Sequence, residues 1–121
     1  MFRITKKFTF EASHQLPFHD GKCRRLHGHS WVGYVILERE ELIDDGPKTG
    51  MLMDFGDIQE VLKPFIEEYL DHRHLNDSTS LANPTSECLA SWVFKKLALM
   101  IPYLVAVRIE ETCTSTAEYW G

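Results

Sequence analysis

The chain predicts an α+β fold, and three observations carry that prediction. Its first fourteen residues alternate apolar and polar side chains with period two. Two stretches in the middle space their apolar residues at threes and fours, the stripe of an amphipathic helix. The final third returns to two short β-type runs on either side of a turn. The expected order is β-β-α-α-β-β, an antiparallel sheet with two helices on one face.

The elements follow in order. Phe2, Ile4, Phe8, Phe10, Ala12 and His14 share one parity, broken once by Lys6, and define the first strand. A loop from Gln15 to about Leu26 holds Pro17, Asp20 and Gly21. The second strand runs from near His27 to about Arg39. It is apolar on both parities, with Trp31, Val35 and Leu37 on one face and Val32, Tyr34 and Ile36 on the other. Such a strand needs cover on both sides, from the protein's own helices on one and a neighbouring subunit on the other.

After a polar loop from Glu40 to Gly50, Asp54 is placed to cap a helix. Its stripe is Phe55, Ile58, Val61, Leu62, Phe65, Ile66, Tyr69 and Leu70, and Pro64 is expected to kink or split it. Asp71–Leu81 reads as loop. A second helix follows Asn83-Pro84-Thr85, with the stripe Leu89, Trp92, Val93, Leu97 and Met100, and Pro102 marks its end. Strands are expected at about Leu104–Thr112 and Thr116–Trp120. A four-stranded sheet of this kind leaves two edges and one apolar face open, which pairing between subunits would close.

The 121 residues suit a single domain spanning 1–121, one that gains from association with copies of itself. Hydrophobic residues at 44% and charged residues at 26% place it among globular chains. The formal charge of -5 argues against nucleic acid as the main partner, although Lys22, Arg24 and Arg25 make a local basic cluster suited to a small polyphosphate. The N-terminus lacks the apolar core of a signal peptide, and no run approaches the length of a bilayer span. Three scattered cysteines, Cys23, Cys88 and Cys113, are expected as free thiols. The reading is a cytoplasmic protein with no membrane partner.

His27-Gly28-His29 is the sharpest local signal. On a strand both imidazoles project to one face, and His14 ends the preceding strand on its apolar face. If the strands pair, three imidazoles meet over one patch of sheet. Three neutral nitrogen donors with a free fourth position suit a catalytic zinc. The competing reading makes them ordinary core or surface histidines. Cys23, four residues before His27, is either a fourth zinc ligand or a thiolate base among Arg24, Arg25 and the metal. Spacing alone does not separate the two. His19 has no partner in this pattern and reads as a solvated loop residue.

These residues resemble the signature of the 6-pyruvoyl-tetrahydropterin synthase family. His14 and the run Cys23-Arg24-Arg25-Leu26-His27-Gly28-His29-Ser30 carry the resemblance. So do Thr49-Gly50-Met51, Asp54-Phe55, Leu70-Asp71-His72, Leu75-Asn76, Asn83-Pro84-Thr85-Ser86-Glu87 and Glu111-Thr112, in the family's order across nearly the whole chain. The short step from Cys23 to His27 is similar to the 6-carboxytetrahydropterin synthase branch. Arg24 and His74 stand where relatives often carry other residues.

The resemblance implies the tunnelling fold, with sheets joined between subunits into a barrel, commonly a homohexamer. It implies a zinc-dependent lyase that converts 7,8-dihydroneopterin triphosphate to 6-carboxy-5,6,7,8-tetrahydropterin, acetaldehyde and triphosphate, a step serving queuosine biosynthesis. By the same resemblance His14, His27 and His29 hold Zn2+, Cys23 is the base, Asp71 and His72 form a proton relay, and Glu111 anchors the pterin. Glu111 also shares parity with Val105, Val107 and Ile109, so an acid there calls for a partner. Thr85 and Ser86 are expected near the pterin as well as at a helix cap, and Arg24 and Arg25 near the triphosphate. The alternatives are 6-pyruvoyl-tetrahydropterin synthase or dihydroneopterin-type aldolase activity, and a non-enzymatic assembly stabilised by zinc.

Overall fold

The alternating N-terminal run becomes strand β1, Phe2–His14, and the doubly apolar run becomes β2, His27–Arg39. They pair antiparallel along their whole length, from Phe2 opposite Arg39 to His14 opposite His27. The computed structural model describes residues 1–121. Helix α1 is Phe55–Tyr69, strand β3 is Arg73–His74, helix α2 is Leu75–Ser78 and helix α3 is Ser86–Leu97. Strands β4, Leu104–Thr112, and β5, Ser115–Trp120, close the chain in an antiparallel hairpin. The sheet order is β3-β1-β2-β4-β5, and the class is α+β as expected.

Three expectations need correction. The sheet has five strands, because the stretch read as loop after α1 contains β3, which pairs parallel with β1 through Ala12–Arg73 and Ser13–His74. Two residues carry no periodicity, so only the meeting with β1 reveals them as a strand. The same stretch holds the single turn α2, whose Thr79 hydroxyl donates to the Leu75 carbonyl. The third correction concerns Pro64, where of the kink or split expected the split does not occur. Pro64 and Glu60, whose carbonyl loses its partner, both lie on the exposed side, where the oxygen is open to solvent. Ile58, Leu62 and Phe65 hold the helix to the sheet on the other side.

The caps form as predicted. Asp54 accepts from the Gly56 amide, and Lys48 bonds its second carboxylate oxygen. Thr85 accepts from the Cys88 amide at 3.1 Å and starts α3. Helix α3 stops at Leu97, so Met100 lies beyond it and is exposed.

One hydrophobic core lies between the sheet and the helices. It takes Phe8, Phe10 and Ala12 from β1, Trp31, Val35 and Leu37 from β2, Val107 and Ile109 from β4, and the buried stripes of α1 and α3. Phe10 stacks on Trp31 with centroids 5.8 Å apart, and Phe8 continues the row. The Phe8 ring lies over Gly33, directly opposite it in the sheet. The reverse face carries Ile36, Ala106, Tyr34 and Trp120, and no helix of this chain covers it; Trp120 is 70% exposed. No helix is long and apolar enough to cross a membrane.

Candidate metal centre

The aromatic row of the core ends in imidazoles. His14 is the last residue of β1 and pairs with His27, the first of β2, while His29 lies opposite Ala12. All three rings project to the helix-covered face. The centroids of His14 and His27 are 4.5 Å apart, those of His14 and His29 5.2 Å, and those of His27 and His29 4.9 Å. The Trp31 indole packs edge-on against His14 and His29 and is itself fixed by an Nε1–H bond to the Ala12 carbonyl.

The outer nitrogens decide the tautomers. His14 Nδ1 is 2.8 Å from the Pro84 carbonyl oxygen, and His27 Nδ1 is 2.6 Å from that of Arg25. A carbonyl only accepts, so each Nδ1 carries the proton and each Nε2 presents a lone pair. Burial also lowers the His14 pKa, which the bond to Pro84 and the Glu111 charge only partly oppose. The neutral form that a metal requires is therefore the favoured one.

Glu111 approaches the Nε2 atoms of His14 and His29. It lies one residue past the Val32–Glu110 pair of the β2–β4 ladder, on the core parity of β4. Its Oε1 is 2.8 Å from His29 Nε2 and 3.5 Å from His14 Nε2, and its Oε2 accepts from the Ser86 hydroxyl at 2.8 Å. Although the His29 distance is short, the approach is not aligned for a hydrogen bond, and the Nε2 atoms of His14, His27 and His29 are all buried without a partner. Donor atoms of the three histidines and Glu111 lie within 4.8 Å of one another. Acceptors converging on acceptors in a partly dry site repel one another unless a cation lies between them. The four side chains form a group that can hold a metal ion.

The other expected site residues lie around this group. Cys23 sits half-buried in a single 3₁₀ turn, Lys22–Arg24, outside the set of close donors, with its carbonyl accepting from the Leu16 amide. Arg24 and Arg25 are exposed on the same turn. Asp71 and His72 form a pair, with His72 Nδ1 2.8 Å from Asp71 Oδ2. The other Asp71 oxygen accepts from the Glu11 amide, and the His72 amide donates back to the Glu11 carbonyl. These bonds hold His72 at φ +57, a left-handed conformation rare for histidine. The Glu11 amide first, and His72 second, keep the Asp71 carboxyl below the usual carboxylate range. His72 and His29 both line an open hollow of about 520 Å³, together with Glu11, Ser13, Ser30 and His74.

Two features escaped the sequence reading. Glu111 reaches the histidines, which needs the register of β4 on β2. Asn83 keeps a buried carbonyl oxygen without a partner beside the carbonyl that fixes His14. The Asn83-Pro84-Thr85 run was legible as a helix start and as part of the family's motif, but not as the segment whose Pro84 carbonyl fixes His14.

The family model for 6-pyruvoyl tetrahydropterin synthase matches residues 3–121. The chain belongs to this family. It is 50% identical over 122 residues to a 6-carboxy-5,6,7,8-tetrahydropterin synthase of Synechocystis sp., covering 100% of this chain and 95% of the relative. A dihydroneopterin monophosphate aldolase of Pyrococcus furiosus is 32% identical over 100 residues, with 83% of this chain and 78% of the relative covered. Among solved structures, 6-pyruvoyl tetrahydropterin synthase of Caenorhabditis elegans superposes with a TM-score of 0.83 at 28% identity, covering 99% of this chain and 95% of the other. The family match supports a pterin-processing enzyme, and the tunnelling fold expected from the sequence is the fold of these neighbours.

Proposed function

We propose that this member of the family is a zinc-dependent lyase that converts 7,8-dihydroneopterin triphosphate and one water to 6-carboxy-5,6,7,8-tetrahydropterin, acetaldehyde and triphosphate, supplying queuosine (7-deazapurine) biosynthesis. The observation that carries the reading is the convergence of three partnerless imidazole nitrogens in a chain half identical to a protein of that named activity. His14, His27 and His29 would hold the ion, which when bound polarises side-chain oxygens of the substrate as a Lewis acid.

The remaining steps belong to the chain. Cys23 takes the proton from the side-chain carbon next to those oxygens, as a thiolate on a turn it shares with Arg24. Asp71 orients His72 through Nδ1 and leaves the far ring nitrogen of an 82% exposed side chain to carry protons. Glu111, with Ser86 on one oxygen, matches the paired N–H donors of a 2-amino-pyrimidinone edge, and Thr85 immediately precedes Ser86 in sequence. Arg24 and Arg25 meet the triphosphate. The uncovered apolar face is closed by further copies in a homohexameric barrel of cytoplasmic enzyme.

The aldolase relative favours a second reading, cleavage of a dihydroneopterin side chain without formation of the carboxyl group. Mass spectrometry of products from the zinc-loaded protein and 7,8-dihydroneopterin triphosphate separates the two. The expected products are 6-carboxytetrahydropterin and acetaldehyde. A product that keeps a three-carbon side chain, or an aldehyde of the aldolase type, moves the chain to a sister activity. No turnover with zinc bound favours the zinc-stabilised structural assembly.

A further inference from the structure

We propose that Glu111 is a displaceable fourth metal donor, closing the three-histidine site in the substrate-free protein and leaving it when a pterin ring arrives. The inference rests on the metal-site reading above and adds to it a second task for one carboxylate.

Four observations carry it. Glu111 Oε1 lies 2.8 Å from His29 Nε2 and 3.5 Å from His14 Nε2 without an aligned hydrogen bond to either. Ligands on a tetrahedral zinc at ordinary bond lengths stand roughly 3.3 Å apart, so these separations suit atoms sharing one ion. Second, the partner of Oε2 is the Ser86 hydroxyl at the first residue of α3, which leaves Oε1 free to point at the histidines. Third, no lysine or arginine pairs with Glu111; its charged contacts are His14 and His29 alone. A carboxylate with 25% of its side chain exposed, facing imidazole nitrogens and no lysine or arginine, is placed to share a cation with them. Fourth, Cys23, the other candidate for the fourth position, is not among the close donors.

The two tasks exclude each other in time. A pyrimidinone edge takes both carboxylate oxygens, so an arriving ring pulls Oε1 off the ion and opens the position that the substrate side chain then uses. Ser86 stays with Oε2 in the resting state and marks the hinge of the change. The site is thus closed to adventitious ligands until the correct ring is bound.

The test uses the full-length zinc-loaded protein, crystallised with and without pterin, alongside zinc affinity measured by chelator competition. Without pterin, a Glu111 oxygen is expected about 2.0–2.2 Å from zinc, and with pterin that oxygen is expected on the ring instead. Glu111→Gln is expected to weaken zinc binding by about tenfold or more. The wild-type crystals stand as the readout independent of any effect of glutamine on the strand end. Water in the fourth position with the three histidines on zinc overturns the inference and leaves the metal-site reading intact. Failure of the wild-type protein to bind zinc through His14, His27 and His29 overturns both. An unchanged affinity in folded Glu111→Gln also sinks the fourth-donor role alone.

Discussion

At the scale of single residues, the chemistry divides between groups held rigidly and groups held by one contact. His14 is fully buried, bonded at Nδ1 and wedged against Trp31, so its lone pair points in a fixed direction. Cys23 sits on a short turn and has no side-chain bond of its own to keep it there. On the enzyme reading Cys23→Ala keeps zinc and assembly but loses turnover by roughly 10²–10⁴-fold, checked by metal content and steady-state rates. Loss of zinc in that variant would point instead to a cysteine ligand. Asp71 gives a pH prediction. Its folded-state carboxyl titrates below the ordinary range, held first by the Glu11 amide and then by His72. As pH falls, the unfolded chain takes up this proton before the folded one does. The stabilisation is whole above about pH 4 and drains away as pH drops through the lower folded value. Thermal melting of the wild type should therefore fall more steeply below about pH 4 than that of Asp71→Asn, whose melting temperature should already be lower at pH 7.

At the scale of elements, the pairing of β1 with β2 does most to place the site. It brings His14 opposite His27 and sets Phe8 against Gly33. A Cβ at Gly33 would lie 2.2 Å from Phe8 Cζ, and Phe8 is 5% exposed with little room to swing. Gly33→Ala is thus expected to cost about 1–3 kcal/mol in denaturant unfolding, an overpacking penalty inside the sheet. A double change of Gly33→Ala with Phe8→Leu should recover part of it. The same register carries stability to the metal centre, since Phe10 stacks on Trp31 and Trp31 supports two of the histidines. Helix α3 contributes from its start, where Ser86 reaches Glu111. Pro64 does not split α1, because a proline on the wet side removes one hydrogen bond and leaves the packed stripe intact.

For the whole molecule, the open question of cover on the second face of β2 has a clear outline. Tyr34 and Ile36 look away from the helices, Trp120 is largely exposed beside them, and β5 is an unpaired edge. Burying this face and edge against other copies follows from the cost of leaving apolar surface and strand amides in water. Trp120→Glu on the proposed assembly is expected to shift the sedimenting species to smaller mass, with far-ultraviolet dichroism unchanged. An unaltered mass would remove this face from the interface.

The sequence alone determined the strands of the two hairpins, the caps of the two long helices and the composition of the core, because each depends on periodicity or on a neighbour within four residues. It also supplied three histidines at strand ends and the ordered motifs of the family. The tertiary structure alone decided the rest. Strand β3 exists only because Arg73 and His74 lie beside β1. Glu111 meets His14 and His29 only through the β2–β4 register, and Ser86 meets Glu111 only because α3 begins above that strand end. Contacts between residues 25 to 97 positions apart leave no local pattern in the chain, since their partners are fixed by packing and not by propensity.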